Sequence, residues 1–195
     1  MKNILKMFFL LGVFALVQIT PAAAWSVNNH HDIANKVYYN LPADVQEKLD
    51  LDAMRDGADD PDIKFFDFQN HQYPASYQKA KYWLDQGKYY YNQGNYTYAS
   101  YCFGVASHYI SDTFSAPHSE NERSANHALY EMRAAFFTCH ISYLNGDLDS
   151  IMYDGYIEGK NSWKNWQKNG DDTYIHEDLD KGASAAYTAI LNIVG

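Results

Sequence analysis

The chain has 195 residues, a length that suits one domain. It carries 15 Lys and Arg against 24 Asp and Glu, a formal net charge of −9. A surface of that sign repels nucleic acid and anionic lipid, so attraction for either would have to come from local positive charge.

Lys2 and Lys6 precede an apolar run from Met7 to Val17, and Ala22-Ala23-Ala24 follows. This is the pattern of a secretory signal peptide with a small-residue cleavage site. The run is shorter than the about 20 apolar residues that a membrane span needs. The expected organisation is therefore a leader over 1–24, removed on export, and one helical domain over 25–195, with a secreted or periplasmic location. Cleavage after Ala24 would leave Trp25 as the free N-terminus. Without Lys2 and Lys6 the balance is 13 basic to 24 acidic groups, a net of −11.

From there the chain is predicted to be helical throughout. Asn29 can cap a helix starting at His30 with Ile33, Ala34, Val37 and Tyr38 on its apolar face. Pro42 fits a first helical position, and Val45, Leu49 and Met54 carry the pattern to Gly57. Asp59 to Tyr73, rich in Asp, Asn, Phe and Pro, is expected as an irregular loop. Helices follow over Ala75 to Asn92, with Ala80, Trp83 and Leu84 inward, and over Tyr96 to Phe114, ending before Pro117. Another is expected from near Glu122 to Leu144, a further one is capped by Asp147, and the last runs from about Asp178 to Val194. No strand-like alternation persists, and no repeat or linker marks a second domain. The fold class is all-α, a single-domain helical bundle. Cys102 and Cys139 are the only cysteines, and either a disulfide or two buried thiols fits them.

The chemistry lies in the histidines. His108 and Asp112 stand four apart in a helical pattern, as do His127 and Glu131, so each pair points two ligating atoms at one region. His118 follows past Pro117, where the chain leaves its helix, and stands above that helix's end. A tight loop over Gly57 to Pro61 offers Asp59, Asp60 and Asp62, and His71 follows in the same region. His31 competes with His30. His140 and His176 have no partner at a useful spacing. Nitrogen and oxygen ligands clustered on helices are the means of holding zinc, and several zinc ions together cleave phosphate esters.

In order, Trp25, His30, Asp62, His71, His108-x3-Asp112-x5-His118 and His127-x3-Glu131 resemble the bacterial zinc-dependent phospholipase C family, which is related to fungal single-strand-specific zinc nucleases. The segment from His108 to His118 is the most diagnostic piece, and the resemblance weakens after Glu131. It implies a helical bundle of that type and three zinc ions. Asp62, His71, His108 and Asp112 would hold the first, and His118, His127 and Glu131 the second. The Trp25 amine and carbonyl, His30 and the other Asp112 oxygen would hold the third. Asp62 would also orient or deprotonate the attacking water. The resemblance implies an acid just after the N-terminal Trp in members that favour choline lipids; Ser26, Val27 and Asn28 offer none, which speaks against that preference. The Trp25 to His30 spacing is closer to the nucleases, whereas Leu129-Tyr130-Glu131 is more phospholipase-like.

The implied activity is exported phosphodiester hydrolysis, foremost of a phospholipid. Single-strand nuclease activity and non-catalytic zinc binding are the alternatives. Phe65, Phe66, Phe68 and Tyr73 lie near Asp62 and His71 in the sequence and could receive acyl chains or bases. The expected partner is a phospholipid or other phosphodiester substrate, with no stable nucleic-acid partner and at most transient contact with a membrane surface.

Overall fold

Ser26, rather than Asn29, starts the first helix. In the computed structural model, which describes residues 25–120 and 124–195, α1 spans Val27–Asn40 and the Ser26 side chain accepts from the Asn29 backbone N–H. Asn29 is buried inside the helix, and its amide donates to the Ala134 carbonyl at 2.8 Å. A side chain that polar in a helix interior is bought by a distant backbone partner, which sequence spacing does not reveal. The expected leader and the expected helix start near Glu122 lie outside the described residues.

The stretch from Pro42 to Gly57 is two helices, not one. A single turn, α2 (Ala43–Gln46), is followed by α3 (Leu51–Ile63). Asp50 divides them: its carboxylate caps the Ala53 N–H at 3.1 Å, and its own N–H donates to the Ser100 hydroxyl at 2.8 Å. α3 also takes in the first five residues of the expected loop, Asp59 to Ile63. Pro61 sits in its last turn, where the helix forgoes the one hydrogen bond that an N–H at this position would donate. The Pro61 carbonyl remains available and accepts from the Asp67 N–H at 2.9 Å. The irregular segment is thus confined to 64–74.

α4 (Ala75–Asn92) and α5 (Tyr96–Thr113) match the expected helices to within a residue. α5 is the central element, with 14 of its 18 residues buried. α3, α4 and α9 (Thr173–Val194) pack around it. Beyond Thr113 come the short α6 (Ala116–Ser119), then α7 (Ala125–Ala134) and α8 (Leu148–Asn169), the last capped by Asp147 as expected. α9 begins five residues earlier than its apolar pattern suggests.

The expected helix to Leu144 stops at Ala134. Residues 137–145 instead run extended along α9, because side chains of α9 take their backbone donors. The N–H groups of His140, Ser142 and Leu144 donate to Asp180, Ser184 and Thr188 at 2.7, 3.0 and 2.9 Å. Alternate residues of a strand advance about 6.6 Å and one helical repeat of four advances about 6 Å, so the two series stay in register. At the head of this strap the Cys139 N–H donates to Asp32 at 2.8 Å. Cys139 and Cys102 are both buried and unbridged, so the thiol alternative holds.

Nine helices and no strand occur among the described residues, and one hydrophobic core runs through them. The architecture is all-α. Among the described residues no helix is long and apolar enough to cross a membrane.

Candidate metal centre

Two glycines bring the acid-bearing end of α3 against α5. A Cβ on Gly57 would meet the Tyr101 carbonyl oxygen at 2.1 Å, and one on Gly104 would meet the Met54 carbonyl oxygen at 2.0 Å. The two backbones therefore touch, and Gly57 is a contact residue rather than a turn. The contact lets the His108 Nδ1–H donate to the Ala58 carbonyl at 2.7 Å. That bond fixes the ring and turns Nε2 inward, as an outer-shell carbonyl does for a ligating imidazole.

His108 Nε2 lies 3.1 Å from Asp112 Oδ2 and 3.8 Å from Asp62 Oδ1. His71 joins from the loop, with Nδ1 3.1 Å from Asp112 Oδ2 and Nε2 3.7 Å from Asp62 Oδ1. The loop is pinned by Asp67, which accepts from the Tyr109 hydroxyl and pairs with Lys79, both at 2.8 Å. On the other side, His30 stacks on His108 with centroids 4.0 Å apart and presents Nε2 3.5 Å from Asp112 Oδ1. The two oxygens of Asp112 thus face different imidazoles. The Trp25 indole is buried, and its Nε1–H donates to the Ser111 carbonyl at 2.9 Å. Its backbone N–H faces the Asp112 carboxylate.

A second group adjoins the first. His118 on α6 has Nε2 3.9 Å from Glu131 Oε1, and His127 Nε2 contacts the same oxygen. The His118 ring stacks on His71 at 6.0 Å and meets His127 edge-on at 5.1 Å. Three sets can each converge on one cation: His30 with His108 and Asp112; Asp62 with His71 and His108; His118 with His127 and Glu131.

Without a cation this cluster has no satisfactory protonation state. Burial lowers His30 and His71, and neighbouring imidazoles lower them further. Burial would lower His108 too, but Asp112 and Asp62 raise it to about 9. Burial raises Asp112 against the opposing pull of His108 and the Trp25 N–H. Burial, Asp112 and Asp59 push Asp62 up to about 7, and burial with Asp112 and Asp62 pushes Glu131 up to about 10. Both nitrogens of His30, both of His71, His108 Nε2, Asp62 Oδ1 and both Asp112 oxygens are buried without a hydrogen bond of good geometry. Buried polar atoms are nearly always paired, so a cluster of orphans requires an explanation. Divalent cations supply it: they accept the lone pairs of neutral imidazoles and neutralise the carboxylates together. The donor set, imidazole and carboxylate without thiolate, suits zinc.

The structure separates the candidates that spacing leaves open. Asp59 pairs outward with half-exposed His31 at 2.7 Å. Asp60 accepts from the Tyr101 hydroxyl at 2.7 Å and pairs with Lys64. Of the three acids, Asp62 alone faces His71 and His108. Of the four aromatic residues, Phe68 lies against His71, with centroids 6.2 Å apart, and Phe66 adjoins Phe68. Phe65 stacks instead on Trp83 of α4, and Tyr73 packs on Tyr153 and Tyr156 of α8 while donating to Asp149. His140 pairs with Asp180 and His176 packs on Phe137, both outside the cluster. Spacing gave no sign of Asp67, Tyr109 or the Ala58 carbonyl, because each acts through a partner on another element.

The family profile of zinc-dependent phospholipase C matches residues 29–181, so the chain belongs to that family. The match continues past Glu131, further than the motifs alone reach. No curated protein and no solved structure matches the chain significantly.

Proposed function

We propose that this family member is an exported trinuclear zinc phosphodiesterase that cleaves a phospholipid to diacylglycerol and a phosphorylated head group. The observation that carries the reading is the orientation of Asp112, whose two oxygens face His30 on one side and His71 with His108 on the other. A carboxylate so placed suits two neighbouring cations. Asp62, His71, His108 and Asp112 would hold one ion, His118, His127 and Glu131 a second, and Trp25, His30 and Asp112 a third. Bound zinc supplies Lewis acidity and nucleophilic water at neutral pH.

The chain's own residues then divide the work. Asp62 reaches the surface slightly, at 8% exposure, and stands where it can orient the attacking water and take its proton. The water's oxygen forms the new bond to phosphorus, the bond to the glycerol oxygen breaks, and that oxygen takes up a proton. Phe68 and Phe66 form an apolar edge beside the site, suited to the chain end of a lipid. The Trp25 backbone nitrogen would ligate only as a free amine, since an amide nitrogen has no available lone pair. Removal of 1–24 is therefore part of the proposal, and it places the protein outside the cytoplasm.

A metal count on protein whose N-terminus has been sequenced tests this. Three zinc ions per chain starting at Trp25, with hydrolysis of vesicles of mixed phosphatidylcholine and phosphatidylethanolamine exceeding that of single-stranded DNA, is the expected result. A single bound ion with no turnover would reduce the protein to a zinc-binding bundle. Faster cleavage of the DNA would move it to the nuclease branch.

A further inference from the structure

Tyr130, the residue before Glu131, is fully buried and belongs to none of the ligand sets. Its hydroxyl donates to Asp178 Oδ2 on α9 at 2.6 Å. The other Asp178 oxygen accepts from the Ser162 hydroxyl on α8 at 2.9 Å. The Ala116 backbone N–H, at the start of the helix that carries His118, faces the same tyrosine oxygen. The Tyr130 ring packs on Trp25 with centroids 6.0 Å apart, and edge-on against Trp163 and Trp166 at 5.8 and 5.2 Å. One side chain thus ties together α6, α7, α8, α9 and Trp25.

Asp178 is only 3% exposed and no cation pairs with it directly among the described residues; Lys181, one turn further along α9, pairs with Glu158 and acts on Asp178 only at a distance. A carboxyl group so deeply buried costs stability, and a well-packed apolar residue is commonly as good or better for the fold alone. The benefit must therefore be geometric. Trp25 is gripped from two sides, by the Ser111 carbonyl on its indole nitrogen and by the Tyr130 ring on its face. That grip sets where its backbone nitrogen stands relative to Asp112. The same tyrosine fixes the pitch of α7, on which His127 and Glu131 stand, against the start of α6.

We propose that Tyr130, held by Asp178 and Ser162, is a positioning residue for two of the three cation sets: the one that includes Trp25 and the one formed by His118, His127 and Glu131. The set of Asp62, His71 and His108 is positioned independently by the α3–α5 contact. The inference rests on the ligand roles proposed above.

The test uses the chain beginning at Trp25 and zinc alone, titrated against a chromogenic chelator. The variants are Tyr130→Phe, which keeps the ring, and Asp178→Asn, which keeps the shape. Ile190→Val, a change to a fully buried residue of the same core, is the control for general loosening. In both variants two of three zinc ions should bind about 10–100-fold more weakly, the range for loss of an outer-shell partner, while the third is unchanged. The control should leave all three in place. Uniform weakening of all three ions, or none, overturns the positioning role. Should Tyr130→Phe fail to fold, Asp178→Asn and Ser162→Ala carry the same comparison. Wild-type protein that binds fewer than three ions sinks the ligand assignment instead, so the two failures are distinguishable.

Discussion

The two halves of the candidate centre are built differently. His30, His71, His108 and Asp112 are each at most 1% exposed, and the helix carrying two of them is locked to its neighbour backbone against backbone. His118 and Glu131 are partly exposed, on a four-residue helix and a ten-residue helix, and they depend on side-chain contacts for their placement. His108 and Asp112, on the helix fixed by backbone contact, and the fully buried His30 and His71 beside them have little freedom left to lose when a cation arrives. Ligands on short helices must be ordered, and that ordering weakens the net affinity. On the proposed assignment the first group should therefore hold its metal longer under a chelator, and the second should empty first.

The largest effect is expected at the residue both inner sets share. Asp112→Asn keeps the shape but removes the charge between His30 and the His71–His108 pair. Zinc content should fall by two ions, and turnover of a soluble phosphodiester should drop by well over the roughly 100-fold that loss of an outer-shell partner causes. Retention of both ions would show that Asp112 is a buried acid of the core and would dissolve the contrast between the halves.

Gly57→Ala attacks the rigid half through its packing. The added methyl meets a backbone oxygen at 2.1 Å, which has no rotamer to escape into. A loss of about 1–3 kcal/mol is expected from overpacking. It should appear as a lower melting temperature together with loss of the ion at His108, and with the ion at His118, His127 and Glu131 retained. Loss of the outer ion first would invert the comparison.

Much of this was legible in the sequence, and the failures share a cause. The i, i+4 pairs of α5 and α7 reach the centre because their spacing is local to a helix. Asp62 was separable from Asp59 and Asp60 only through the family resemblance, since all three stand within four residues and their partners, His31, Tyr101 and His71, come from elsewhere. Gly57-Ala58-Asp59-Asp60-Pro61 has the composition of a loop, yet it is helical, because its glycine serves a contact with α5 and its proline falls in a last turn. The strap after Ala134 has the periodicity of a helix, and only the donors' capture by Asp180, Ser184 and Thr188 makes it extended. Long-range partners are what a one-dimensional pattern lacks.

Asp178 sharpens the comparison through pH. Burial pushes its carboxyl up to about 7 against an ordinary value of 3.8, although Tyr130 and Ser162 pull the other way. Between those values the native state binds a proton that the unfolded chain has lost. Stability from this group is therefore complete below about 4 and falls as pH rises toward 7. Asp178→Asn has no such proton. The difference in unfolding free energy between wild type and variant, followed by urea denaturation of metal-free protein, should shift in favour of the variant from pH 4 to pH 7. A pH-independent difference would mean that Asp178 is as easily ionised in the fold as in water.

The smallest effect concerns the loop at the rim. Phe66 has φ of 52°, in the left-handed region, and is 68% exposed. A bulky residue there costs on the order of 1 kcal/mol or more in backbone strain, and its ring gains little burial in return. Phe66→Gly removes the strain but also lengthens the list of conformations open to the unfolded chain, which takes back part of the gain. A net stabilisation below about 1 kcal/mol is expected. Activity on a soluble phosphodiester should be unchanged, because Asp62 and His71 are held by α3 and by the Asp67 clamp rather than by this ring. Activity on vesicles of mixed phosphatidylcholine and phosphatidylethanolamine should fall if the ring meets the lipid. An equal loss on both substrates would instead make Phe66 part of the support of His71, and the rim would then belong to the rigid half of the centre.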